Sequence, residues 1–184
     1  MSAHRRALSS WRARRSVSRR SLERELEPML RALPPGVVMD VGAKDARHRR
    51  HVQATEYLTL DVRTDVGADI VGDLHEVPRE DASLDIVIAT EVLEHCYDPP
   101  RAVGEIRRML RRGGVCVLST RFIHPYHPDP KDYFRFSRDG LEHLFRDFSD
   151  VEIIPLGNRV QSAWLMIRDG RGFSRRSWVS SIRW

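Results

Sequence analysis

Four carboxylates and two histidines stand where this chain could do chemistry. Asp40 and Asp61 each close a short run of β-branched and apolar residues, and 21 residues separate them. Asp73 follows a third such run, and Glu91 a fourth, in Asp85-Ile86-Val87-Ile88-Ala89-Thr90-Glu91. A carboxylate at the end of a second parallel strand can accept hydrogen bonds from both hydroxyls of a diol, as in dinucleotide-binding folds. His95, in Leu93-Glu94-His95, is a candidate base, because a neutral imidazole titrates near working pH. His127 is a second, in a run from Arg121 to Phe136 that Pro125, Pro128 and Pro130 stiffen. Such a run suits a wall over a cleft.

These residues need a scaffold that gathers strand ends. Ile86 to Ile88 read as a buried parallel strand that delivers polar side chains to its C-terminal edge, where open α/β sheets bind ligands. Pro99 and Pro100 open a helix with Ala102, Val103, Ile106, Met109 and Leu110 on one face. Gly113-Gly114 is expected to stop it, and Val115 to Ser119 to form the next strand. Further strands are expected at Val37–Val41, Tyr57–Val62, Asp69–Val71 and Val151–Pro155. A helix is expected at Asp45–Ala54, and another from an N-cap at Ser137 through Phe148. Before the first strand, Leu22, Leu26, Met29, Leu30 and Leu33 have helical spacing, with Ser21 as N-cap. Residues 160–167 read either as a hairpin strand or, preferred here, as a helix. A seventh strand is either missing or formed by Ser177–Ile182.

The strand-helix-strand unit with its Val92-Leu93-Glu94-His95-Cys96-Tyr97-Asp98-Pro99 segment resembles the class I S-adenosylmethionine-dependent methyltransferases, specifically the type 11 group. The run His124-Pro125-Tyr126-His127-Pro128-Asp129-Pro130-Lys131-Asp132-Tyr133-Phe134-Arg135-Phe136 is similar to a segment of type 11 members found among glycan and natural-product genes. The resemblance implies a single doubly wound, mostly parallel Rossmann-like sheet with helices on both faces, shortened at the C-terminus. It implies S-adenosylmethionine as cofactor, held by Asp40, Gly42, Asp61, Asp73, Leu74, Thr90 and Glu91. In that scheme Asp61 takes the ribose, Asp73 and Leu74 the adenine, and Thr90 and Glu91 the methionyl side. Lys44 stands where the family pattern has a second glycine, and is expected to point outward and be tolerated. The catalytic candidates are His127, ranked first, and His95; His124, Asp129, Tyr133 and Arg135 belong to the substrate loop. Asp132 and Arg135 are expected to pair or to fix the loop through its backbone. No metal is expected, since His124, His127 and Asp129 lack a fourth ligand.

Length and charge agree with this. A chain of 184 residues is long enough for one cored domain. The net charge of +5 sits at the ends: residues 1–33 carry nine Arg against three Glu, and residues 168–184 five Arg against Asp169. The middle holds an acidic excess, so nucleic acid is disfavoured despite a pI near 9.7. No N/D-P-P-Y tetrad follows the fourth strand. The expected layout is a basic, loose arm over 1–20, the methyltransferase-like domain over 21–167, and a basic tail over 168–184. Only Cys96 and Cys116 are present, and no apolar run would span a bilayer, so the expected setting is the cytoplasm. The expected function is methyl transfer to a small-molecule or glycan-like acceptor, a hydroxyl. The alternative is a binding or accessory module of the same fold, with its cofactor turn degraded at Lys44 and no turnover.

Overall fold

The computed structural model describes residues 17–158, 160 and 162–164. The basic tail, residues 1–16 of the N-terminal arm and the Ser177–Ile182 strand lie outside them. The elements are α1 (Val17–Ala32), β1 (Gly36–Val41), β2 (Ala54–Asp61), β3 (Ile70–Val71), β4 (Leu84–Thr90), α2 (Pro99–Met109), β5 (Leu110–Ser119) and α3 (Arg138–Leu144). Short 3-10 turns occupy Arg49–His51 and Leu93–His95.

The five strands form one parallel sheet in the order β3-β2-β1-β4-β5. The chain leaves β1 toward β2 on one side and later returns to β4 on the other. Their C-terminal ends therefore splay apart beside β1, which is where such sheets hold ligands. Both faces are covered at the centre of the sheet, so β1 and β4 are buried along almost their whole length. On one face Met39, Val41, Val87 and Ala89 pack under Ala102, Val103, Ile106 and Met109 of α2, with Phe145 beyond α3. On the other, Val38, Ile86, Ile88 and Val117 meet Leu26 and Leu30 of α1.

Local chemistry explains where the elements start. Asp98 caps α2 by accepting from the Arg101 N–H at 3.2 Å, and prolines fill its first positions. Ser137 caps α3 by accepting from the Gly140 N–H at 3.1 Å.

Several sequence expectations are corrected here. The first helix begins at Val17, so Ser21 lies inside it rather than capping it, and Met29 is largely exposed. No α-helix forms over Asp45–Ala54. Lys44 and Ala46 adopt left-handed backbone, with φ of 46° and 48°, which an α-helix cannot contain, and β2 already starts at Ala54. Gly113-Gly114 does not stop α2, which ends at Met109. The pair sits inside β5, where the register against β4 slips between Leu84 and Ile86. Gly113, at φ 79°, lets the strand double out and rejoin. Residues 151–155 are irregular rather than a sixth strand: Pro155 supplies no N–H to a ladder. The helical preference for 160–167 agrees with the helix at 162–164. No described helix is long and apolar enough to cross a membrane.

Candidate active site

A cavity of about 300 Å³ opens at the C-terminal edge of the sheet, between the ends of β1, β2 and β4. Its floor is Val41 and Gly42; one side is Asp61 and Val62, and the other Glu91 and Val92. Gly72 to His75 closes one end, and Asp129, Lys131 and Tyr133 of the loop after β5 close the other.

Gly42 has φ 64°, and a Cβ there would sit 2.8 Å from Val92 Cγ2. Only glycine fits both constraints. Asp61 is 5% exposed. Its Oδ1 accepts from the Arg63 N–H at 3.0 Å, which fixes the carboxylate, while Oδ2 is buried without a hydrogen-bond partner. A buried bare carboxylate oxygen is costly unless a donor arrives.

Asp73 is held beside the cavity: its Oδ1 accepts from the His75 backbone N–H at 3.0 Å and from His75 Nδ1. His75 Nε2 in turn accepts from the Asp98 N–H at 3.2 Å, so the proton resides on Nδ1. Leu74 is 4% exposed and offers an apolar wall. Glu91, at φ 58°, pairs with Arg121 and accepts from Ser119 Oγ at 3.2 Å.

Two expected cofactor residues lie elsewhere. Asp40 turns to the α1 side of the sheet, where its Oδ2 accepts from the Tyr57 hydroxyl at 2.7 Å. Burial lifts its pKa to about 6 against the opposing pull of Tyr57. Thr90 faces the same side, with its hydroxyl 3.1 Å from His48 Nε2. Burial, reinforced by Arg47, depresses His48 to about 4. Neither Asp40 nor Thr90 lines the cavity. The alternation of a strand decides this: Val41 and Ala89 face the α2 side, so Asp40 and Thr90 face away from it.

The loop 121–136 is bolted to the segment after β4. The Tyr133 and Phe134 N–H groups donate to the Glu94 carbonyl at 2.9 and 3.3 Å, and His95 Nδ1 meets the Lys131 carbonyl. Arg135 donates to both oxygens of Asp132 and to the His124 carbonyl. Both expected roles of that pair are thus present together. Burial would raise the Asp132 carboxyl, but Arg135 and the His127 N–H hold it well below the ordinary carboxylate range. His127 packs edge-on against His95, with centroids 5.0 Å apart, and against His124 at 4.4 Å. Burial pushes the His124 imidazole down to about 4 and lowers that of His127. His95 lines the cavity, whereas His124, His127 and Arg135 stand behind it.

Sequence reading missed Tyr97, Val62 and Lys131. Tyr97 stacks on His75 at 3.9 Å, half exposed at the cavity wall. Its position one residue before Asp98-Pro99 was the available signal. Lys44, expected to point outward, lines the cavity and pairs with Asp129.

Residues 39–118 match a family described as "Methyltransferase domain". A probable S-adenosylmethionine-dependent methyltransferase of Mycolicibacterium smegmatis is 41% identical over 70 residues, 38% of this chain and 24% of that protein. A malonyl-[acyl-carrier protein] O-methyltransferase of Serratia marcescens is 41% identical over 51 residues, 28% of this chain and 20% of that protein. The chain thus spans about a quarter of the length of these curated relatives. Among solved structures, a methyltransferase from Thermotoga maritima, described as a possible histamine N-methyltransferase, superposes with a TM-score of 0.59. That pair shares 18% identity and covers 83% of this chain and 91% of the other, a likeness of fold.

The site suits the cofactor that this family uses. The bare Asp61 Oδ2 fits a ribose hydroxyl donor, the missing Cβ at Gly42 leaves room for close approach, and Leu74 gives an apolar face. Through residues 39–118 the chain is similar to the methyltransferase domains of this family, and its curated relatives include probable S-adenosylmethionine-dependent methyltransferases.

Proposed function

We propose that this chain binds S-adenosylmethionine in the cavity at the ends of β1, β2 and β4 and transfers its methyl group to a hydroxyl of a small-molecule or glycan-like acceptor. The observation that carries this reading is the buried, unpartnered Oδ2 of Asp61 in a cavity at the strand-order reversal. When bound, the cofactor supplies a methyl group already activated on a sulfonium.

The chain's own work is then alignment and proton handling. Asp61 accepts from the ribose, and the Asp73–Leu74 turn borders the adenine. Glu91 sits on the opposite side of the cavity and shares its charge with Arg121. The loop 121–136 walls off water. On the acceptor side, His95 Nδ1 donates to the Lys131 carbonyl, which leaves Nε2 as the nitrogen able to take a proton. His127 packs on the same ring, and the His127–His95 pair is the proposed group that handles the acceptor's proton. The basic ends lie in sequence outside this site, and two unpaired thiols suit a cytoplasmic protein.

The test is calorimetric titration of the full chain with S-adenosylhomocysteine. One saturable site per chain is expected. Absence of binding would remove the reading and leave a fold without a cofactor.

A further inference from the structure

Behind the cavity wall, three ligand-bearing side chains converge. A carboxylate oxygen of Glu94 and one ring nitrogen from each of His95 and His127 all lie within 4.8 Å of one another. The set differs from His124, His127 and Asp129, which the sequence brought to mind: Asp129 is turned to Lys44 instead.

Each imidazole has its Nδ1 engaged. Nδ1 of His95 meets the Lys131 carbonyl, and Nδ1 of His127 lies 3.3 Å from the Pro125 carbonyl and 3.3 Å from Asp132 Oδ2. Carbonyls and carboxylates only accept, so both Nδ1 atoms carry protons and both Nε2 atoms carry lone pairs. Metal-binding histidines are held in this way by their second nitrogen.

Glu94 has no solvent exposure. Its Oε2 accepts from Thr120 Oγ1 at 2.9 Å, while Oε1 has no hydrogen-bond partner. Arg121 Nε lies 3.9 Å from Oε1, beyond hydrogen-bond reach, and the same guanidinium pairs with Glu91. Arg135, a second nearby cation, is committed to Asp132. The cluster therefore holds a bare buried carboxyl oxygen.

We propose that Glu94, His95 and His127 bind one divalent transition-metal ion. Two imidazoles and one carboxylate suit zinc, iron or manganese and leave coordination positions open. Because His95 lines the cavity, an open position can take an oxygen of the acceptor; with the ion bound, the coordinating imidazole nitrogens no longer serve as base, and the hydroxyl, its pKa lowered by the ion, gives its proton to solvent. That use of the ion rests on the methyltransferase reading; its binding does not.

The experiment uses the full chain, free of any polyhistidine tag and stripped with EDTA. Zn²⁺ binding is followed by equilibrium dialysis and Co²⁺ binding by visible absorption. One equivalent per chain is expected, with at least a tenfold loss of affinity in His127→Gln and in His95→Gln. Circular dichroism checks each variant, and His127→Gln alone decides the matter where His95→Gln does not fold. Failure to bind either ion stoichiometrically, or binding that survives both substitutions, overturns the proposal. S-adenosylhomocysteine titration of the wild-type chain in EDTA separates the two readings. Cofactor binding without zinc binding removes only the ion, and zinc binding without cofactor binding removes only the methyltransferase reading.

Discussion

Lys44 Nζ lies 3.5 Å from Asp129 Oδ2, so the turn after β1 is tied to the loop after β5 across the mouth of the cavity. The residue that departs from the family's glycine pattern is therefore used, in a contact that glycine could not make. The contact is weak, because the two side chains are 49% and 67% exposed, and such pairs contribute less than about 1 kcal/mol. Against it stands the left-handed backbone at Lys44, φ 46°, which costs a non-glycine residue about 1 kcal/mol. Lys44→Gly is expected to leave stability within about 1 kcal/mol of wild type, and to leave affinity for S-adenosylhomocysteine unchanged or improved. Urea denaturation and calorimetry check the two parts. A clear loss of affinity would mean that Lys44 holds the cofactor itself.

Asp61→Ala removes the bare acceptor and also the anchor for the Arg63 N–H. Loss of hydrogen bonds to a buried ribose should weaken S-adenosylhomocysteine binding by about 1–3 kcal/mol. Asp61→Asn keeps an acceptor for Arg63 and should fold like wild type while still binding more weakly. Equal affinity in both variants and wild type would remove Asp61 from the site.

How far the sequence could be read follows from the range of each signal. The β-branched run of β4, the Pro99-Pro100 helix start and the Ser137 cap are local, and each appears in the fold where its chemistry is written, whereas the run at 151–155 forms no strand. The end of β2 at Asp61 was readable from spacing for the same reason. Asp40 and Thr90 fall outside the cavity lining because the family pattern marks a strand end but not which face a side chain takes. The face is set by what packs there, Tyr57 for one and His48 for the other. The Asp45–Ala54 helix failed on two left-handed residues, Lys44 and Ala46, that no residue type announces. The meeting of Glu94 with His127 depends on a loop folding back over 30 residues, a contact that periodicity cannot report.

Asp40 and His48 titrate in opposite senses beneath the sheet. Burial raises Asp40 to about 6, so the stability of its neutral form is complete below about 3.8 and is lost as pH rises through about 6. Burial lowers His48 to about 4, so its contribution is complete above about 6.5 and is lost as pH falls through about 4. Between those limits the two slopes cancel. Asp40→Asn keeps an acceptor for Tyr57 and removes one slope. The variant is expected to gain up to about 3 kcal/mol at pH 7 and to lose that advantage on acidification toward pH 4. Urea denaturation at pH 4, 5, 6 and 7 measures the difference from wild type. A pH-independent difference would show that Asp40 is ionised throughout.

Arg135 is the clamp of the loop. Its guanidinium reaches Asp132 Oδ2 at 2.7 Å and the His124 carbonyl at 3.2 Å, and the Asp132 side chain is 1% exposed. Arg135→Met leaves that carboxylate buried with only the His127 side of its partners, a loss expected to cost about 3 kcal/mol. Asp132→Asn added to Arg135→Met removes the stranded charge while still accepting from the His127 N–H. The double variant should therefore be more stable than Arg135→Met alone, with a coupling energy of about 1 kcal/mol or more in a double-mutant cycle. Denaturation curves of the four proteins give that energy directly. Additive effects would mean that Arg135 holds the loop through the carbonyls of His124 and Pro125, and that its pairing with Asp132 is incidental.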